Sequence, residues 1–96
     1  MIVVRQTAVF TAWYDGLRDE KARARIKVRI DRLSLGNPGD VKPVGKGVSE
    51  MRIDYGSGYR LYFVQRGRMV VILLCGGDKQ TQAGDIAQAI KLAQEV

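Results

Sequence analysis

The chain has 96 residues, 27% of them charged and 46% hydrophobic, with a formal net charge of +6 and a pI near 9.8. That length supports a single domain over residues 1–96 with one core, and the charge points to an acidic or polyanionic partner. The absence of histidine excludes His-based nucleases, Cys/His proteases and His-ligated zinc sites, and the lone Cys75 cannot form an internal disulfide.

Ile2 to Arg5 is short and β-branched, which predicts an edge strand. Thr7 is suited to cap a helix whose apolar stripe is Phe10, Trp13, Tyr14 and Leu17, with Trp13 read as core. Asp19 to Leu35 carries the longest helical pattern, with Ala22, Ile26, Ile30 and Leu33 on its buried side and Gly36-Asn37-Pro38 stopping it. Between Arg18 and Arg32 there are seven basic and three acidic residues, most of the chain's excess charge. Asp19 and Arg23 stand four apart in the order that supports a helix. The remaining cations form a solvated face or attract nucleic acid through their field.

Residues 36–49 are rich in Gly and Pro and contain Lys42 and Lys46; a short strand around Asp40 to Val44 would be an edge because of Pro43. Residues 50–55 and 59–64 alternate. Met51, Ile53 and Tyr55 oppose Glu50, Arg52 and Asp54, and Tyr59, Leu61 and Phe63 oppose Arg60, Tyr62 and Val64. Met69 to Cys75 is a continuous apolar run, as in a central strand covered on both faces, with Cys75 a small buried hydrophobe. Gly76-Gly77-Asp78-Lys79 reads as a polar loop leaving that strand, its spacing unlike a P-loop, and Gly84 to Val96 as a closing helix. The pattern describes an α+β domain: two N-terminal helices on an antiparallel sheet of four to five strands, with a short C-terminal helix. Arg52, Arg60 and Tyr62 then share the face away from the helices, where the function is expected.

No apolar run reaches the roughly 20 residues of a membrane helix, and the N-terminus lacks a signal-peptide layout, so a cytoplasmic protein with no membrane partner is expected. Asp54, Asp78 and Asp85 lack the spacing of a metal site, and no metal or cofactor is expected. Metal-free RNA cleavage needs a proton acceptor, a charge stabiliser and a proton donor around one phosphodiester. Arg60 suits the stabilising role because its planar fork can donate two bonds to a phosphate, and Lys79 is the second cation. Glu50 is a candidate base and Tyr62 a candidate stacking or proton-transfer group, while Lys42, Lys46 and Arg52 could hold flanking phosphates.

The chain resembles the RelE/ParE toxin superfamily, and within it the HigB-like addiction-module killer protein group. The likeness is carried by Phe10-x-x-Trp13, Leu17-Arg18-Asp19, Arg29-Ile30-x-Arg32-Leu33 and Gly36-Asn37-x-Gly39-Asp40-x-Lys42. It continues through Glu50-Met51-Arg52-Ile53, Gly58-Tyr59-Arg60-Leu61-Tyr62-Phe63 and Leu74-Cys75-Gly76-Gly77-Asp78-Lys79-x-Thr81-Gln82. The resemblance implies a RelE-like fold with an open basic concave face, and the toxin of a type II toxin–antitoxin module. It implies a metal-independent, ribosome-dependent mRNA endonuclease that inhibits translation; the alternative within the superfamily is a non-enzymatic ParE-type inhibitor of DNA gyrase. The implied partners are a cognate helix-turn-helix antitoxin, mRNA on the ribosome, and operator DNA reached only through the antitoxin complex. The family's strand arginine falls on Arg60 and its basic residue past the last strand on Lys79. A pair that is basic in well-known members falls on Glu50 and Arg52, so one charge is kept. The late Tyr or His of several members has no counterpart, since the aromatic residues end at Phe63.

Overall fold

A computed structural model describes residues 1–96, beginning with the strand β1, Val3–Gln6. Thr7 turns the chain out of that strand: its hydroxyl accepts from the Phe10 amide at 3.0 Å and caps α1, Ala8–Asp15. Asp19 caps α2, Glu20–Ser34, by accepting from the amides of Lys21 and Ala22 at 3.0 and 3.1 Å. The carboxylate expected to support Arg23 is therefore spent on the helix end, and the i,i+4 pair that forms is Lys27–Asp31, at 3.3 Å. Four further strands follow, β2 (Val41–Gly45), β3 (Val48–Ile53), β4 (Tyr59–Arg66) and β5 (Val70–Gly77), and then the helix α3, Gln82–Glu95.

The sheet order is β1-β5-β4-β3-β2. The strands β2 to β5 form an antiparallel meander, and β1 joins β5 in parallel from Val3↔Val70 to Gln6↔Leu73, so the five-stranded sheet is mixed. The α+β class and the order of helices and strands are those expected; the parallel edge is the difference. No helix is long and apolar enough to cross a membrane.

Alternation in the strands builds two cores. One joins Phe10 of α1 and Ile26 and Leu33 of α2 to Met51, Ile53, Leu61, Phe63, Val71 and Leu73. The other joins Val48, Tyr62, Val64, Leu74 and Cys75 to Ala89 and Ala93 of α3. The second face is thus not open along its length, because its valines and leucine need cover and small alanines let a helix approach. Arg66 closes the far end of α3, donating from its guanidinium to the Ala93 carbonyl at 2.6 Å, where a cation also suits the helix dipole.

A bulge sets where β5 ends. Tyr62 pairs with Cys75 but Phe63 pairs with Leu73, so Leu74 is an extra residue, and Leu74 and Cys75 both join the α3-side core. The Leu74 carbonyl accepts from the Thr7 hydroxyl at 2.6 Å, which ties the bulge to the start of α1. Burial pushes the Cys75 thiol up to about 12, consistent with an inert packing residue.

Gly76 and Gly77 lie within β5 rather than in a loop, and each is small because a helix presses on it. A β-carbon at 76 would enter the Trp13 indole, and one at 77 would enter the Asp85 carboxylate. Gly76→Ala is therefore expected to destabilise the fold by about 2 kcal/mol or more, the scale of overpacking a filled core. Urea unfolding should show a lowered midpoint, whereas Gly84→Ala, with nothing near its added carbon, should be close to neutral or slightly stabilising.

Candidate active site

The strand registers bring the cations together. Arg52 stands opposite Arg60 across β3 and β4, and Arg60 stands opposite Gly77 across β4 and β5. In the adjacent row, Lys42 stands opposite Glu50 and Glu50 opposite Tyr62. Like charges directly across a sheet repel, so this arrangement needs a counter-charge.

Glu50 supplies it from beneath the surface. Its Oε1 lies 3.5 Å from both Arg52 Nε and Arg60 Nη1, and 3.8 Å from Lys42 Nζ. Its Oε2 accepts from Gln82 Nε2 at 2.8 Å and from the Tyr62 hydroxyl at 3.0 Å. Burial pushes the Glu50 carboxyl up, but the hydrogen bonds from Gln82 and Tyr62 and the charges of Arg60 and Lys42 more than offset it. The carboxyl is held below its usual range. Burial and the hydrogen bond to Glu50 drive the Tyr62 hydroxyl far upward, so it stays a proton-bearing donor.

Two expectations change here. Glu50 and Tyr62 are both 0% exposed. Tyr62 therefore cannot stack on a base, and neither group reaches a substrate directly; they form the support on which the cations rest. Adding α3, through Gln82, to the polar face is what buries them.

Above this support is a cleft of about 320 Å³ lined by Arg52, Arg60 and Lys79 together with Asp40, Asp54 and Tyr59. The Arg60 side chain is only 12% exposed, and its Nε–H is buried without an acceptor. Lys79 is exposed and in no ion pair, just past the end of β5, where Asp78 turns the chain by accepting from the Gln80 amide at 2.9 Å. Lys42 borders the group through Glu50, but Lys46 is at the β2–β3 turn with φ +54°. Lys46 is four positions on from Lys42, about 13 Å along an extended chain, and does not line the cleft.

Asp40 and Asp54 are cleft residues that sequence reasoning did not select. Asp54 had a signal, since alternation places it on the same side as Arg52. Asp40 had none in the pattern, because its position depends on pairing: its carbonyl accepts from the Arg52 amide at 3.0 Å. Arg29 fixes the loop before it, donating to the carbonyls of Arg52 at 2.6 Å and Pro38 at 3.0 Å. No three Asp, Glu or Cys residues gather as a group able to hold a metal ion.

Similarity to known proteins covers these features. The chain is 50% identical over 95 residues to a protein of Haemophilus influenzae (strain ATCC 51907 / DSM 11121 / KW20 / Rd) named "Uncharacterized protein", spanning 99% of this chain and 96% of that one. Residues 13–96 match the family described as Phage derived protein Gp49-like (DUF891), a span that runs from Trp13 through every cleft residue to the end of α3. The chain belongs to the Gp49-like family of phage-derived proteins, a RelE/HigB-like toxin family of toxin–antitoxin systems.

Proposed function

We propose that the chain is the toxin of a type II module and cuts mRNA in the ribosome, using cationic side chains in place of a metal ion. The observation that carries this reading is the cleft itself: Arg52, Arg60 and Lys79 line one opening, above a carboxylate that holds two of them in place. In the proposed reaction the 2′-oxygen attacks phosphorus and the bond to the 5′-oxygen breaks, leaving a 2′,3′-cyclic phosphate and a 5′-hydroxyl. Arg60, which lines the cleft, donates from its guanidinium to the phosphorane oxygens, where developing charge makes such bonds worth most. The Lys79 ammonium gives its proton to the departing 5′-oxygen, and a cleft carboxylate, Asp40 or Asp54, takes the proton from the 2′-hydroxyl. Arg52 and Lys42 hold flanking phosphates. Glu50 and Tyr62 act by positioning, and Lys46 is left out of the chemistry.

The partners in this reading are mRNA on the ribosome and a cognate helix-turn-helix antitoxin, with operator DNA bound only through the complex of the two. The test is to add the purified chain to translating ribosomes and map new 5′ ends on the message. Cuts within codons are expected, and Lys79→Ala should slow them by about 10²-fold, the scale of losing a positioned acid. Intact message together with blocked supercoiling by gyrase would replace this reading with the ParE-type one.

A further inference from the structure

A groove of about 610 Å³, larger than the cleft, runs along the outer side of α2. Its walls carry Lys21, Arg25, Arg29 and Arg32 against a single carboxylate, Asp54, and its floor includes Ala24 and Val28. Val28 is 47% exposed, the one large apolar side chain of α2 left open to solvent. A lone exposed valine is ordinary, but together Ala24 and Val28 give this cationic groove an apolar floor.

The cations are unequally free. Arg25 lies with its guanidinium 4.8 Å from the centre of the Tyr55 ring. Tyr55 is in turn fixed by its hydroxyl, which donates to the Asp19 carboxylate at 3.1 Å. Arg29 is held by the Arg52 and Pro38 carbonyls. Two of the four charges are thus ordered before any partner arrives, which lowers the cost of binding. Lys21 to Arg32 spans about 17 Å of helix, room for about three turns of a second helix laid alongside. Residues 24 and 28, one turn apart, form the small apolar ridge such a helix packs on.

RNA fits this surface less well. The nearby aromatic face of Tyr55 is covered by Arg25 and offers no stacking platform for a base. A phosphate backbone also has no use for an apolar floor. The groove shares Ile53 and Asp54 with the cleft, so a helix seated in it lies beside Arg52 and Arg60.

We infer that the α2 groove docks an acidic amphipathic helix of the antitoxin, with apolar side chains on Ala24 and Val28 and carboxylates on the flanking cations. This inference rests on the toxin–antitoxin reading and is independent of how the cleft acts on its target. The probe is the small antitoxin protein that the toxin–antitoxin reading expects beside this chain's gene, titrated calorimetrically into the wild type and into Val28→Glu, Arg32→Glu and the α3 control Lys91→Glu, with far-UV circular dichroism confirming each fold. Val28→Glu should weaken the complex about 30-fold or more, the loss typical of a central interface anchor, and Arg32→Glu should weaken it in a salt-dependent way. Lys91→Glu should stay within about threefold of wild type, since a rim charge away from an interface contributes little. In cells, Val28→Glu should remain toxic and escape neutralisation. Unchanged affinity in Val28→Glu and Arg32→Glu would overturn the inference. So would loss of toxicity or of ribosome binding in those variants with affinity for the small protein intact, which would make the groove an RNA track. Loss of toxicity in Arg60→Ala has no bearing on it, so failure of the cleavage chemistry and failure of this docking are separable.

Discussion

Arg60→Ala is expected to remove message cleavage and growth arrest while the protein still folds and still binds its antitoxin. The guanidinium is the most enclosed cation of the cleft, it has one contact to Glu50, and it retains a buried N–H with no acceptor. Lining the cleft and steadied by Glu50, the guanidinium meets charge that develops on the phosphorane oxygens, a stabilisation greater in the transition state than in the ground state. Losing one positioned donor of this kind lowers turnover by about 10²–10³-fold, and the loss of a full charge adds to that. Arg60→Lys is the informative companion. It keeps the charge but not the planar fork, so one ammonium would have to serve Glu50 and the phosphate together, and cleavage should fall between alanine and wild type. Single-turnover cleavage on programmed ribosomes measures both. A lysine variant as active as wild type would mean that Arg60 acts only as a point charge. An alanine variant that still cuts would remove Arg60 from the chemistry altogether.

Why these cations could be named from the sequence, and their neighbours could not, follows from what periodicity encodes. Alternation in 50–55 and 59–64 depends only on which side of a strand is apolar, so Arg52 and Arg60 were legible as residues on one face. The helical stripe of Ala22, Ile26, Ile30 and Leu33 was legible for a like reason: three are buried and Ile30 is half-buried against the same core. What alternation does not encode is which face a later amphipathic helix will choose. Once α3 packs on the Val48, Tyr62 and Val64 side, Glu50 and Tyr62 pass from surface to interior, and a candidate base becomes a buried counter-ion. The Leu74 bulge, which shifts the register of β5 by one residue, was equally silent because its neighbours are all apolar. Gly76 and Gly77 read as the start of a polar loop, since glycine signals either a turn or crowding; here it is crowding by Trp13 and Asp85. Asp40 entered the cleft through a strand pairing whose partner is twelve residues away, a distance over which no local pattern reaches.

The other large effect is expected at Glu50. With Glu50→Ala, Oε1 no longer balances Arg52, Arg60 and Lys42, and the hydroxyl of Tyr62 and the amide of Gln82 lose the acceptor at their centre. Removing one member of a buried charged group costs about 3–5 kcal/mol, a large share of what holds a domain of this size together. Glu50→Gln keeps the shape and one acceptor but not the charge, and should lose less stability while still loosening Arg60. Acid separates the two contributions. The folded carboxyl titrates below its ordinary value of 4.5, so the ionised form favours the native state. That contribution is complete above the unfolded value and is lost as pH falls through the lowered folded one. Wild type should therefore lose stability on acidification below about 4.5 more steeply than Glu50→Gln, whose curve lacks this group's share. Urea midpoints measured from neutral pH down to about pH 3 decide it. Parallel curves for the two proteins would mean that Glu50 titrates alike in the folded and unfolded chain, and a wild type that gained stability on acidification would mean that Glu50 is protonated when folded. The three cations would then repel one another without a counter-charge, and the ordered cleft on which the proposed chemistry rests would lack its support.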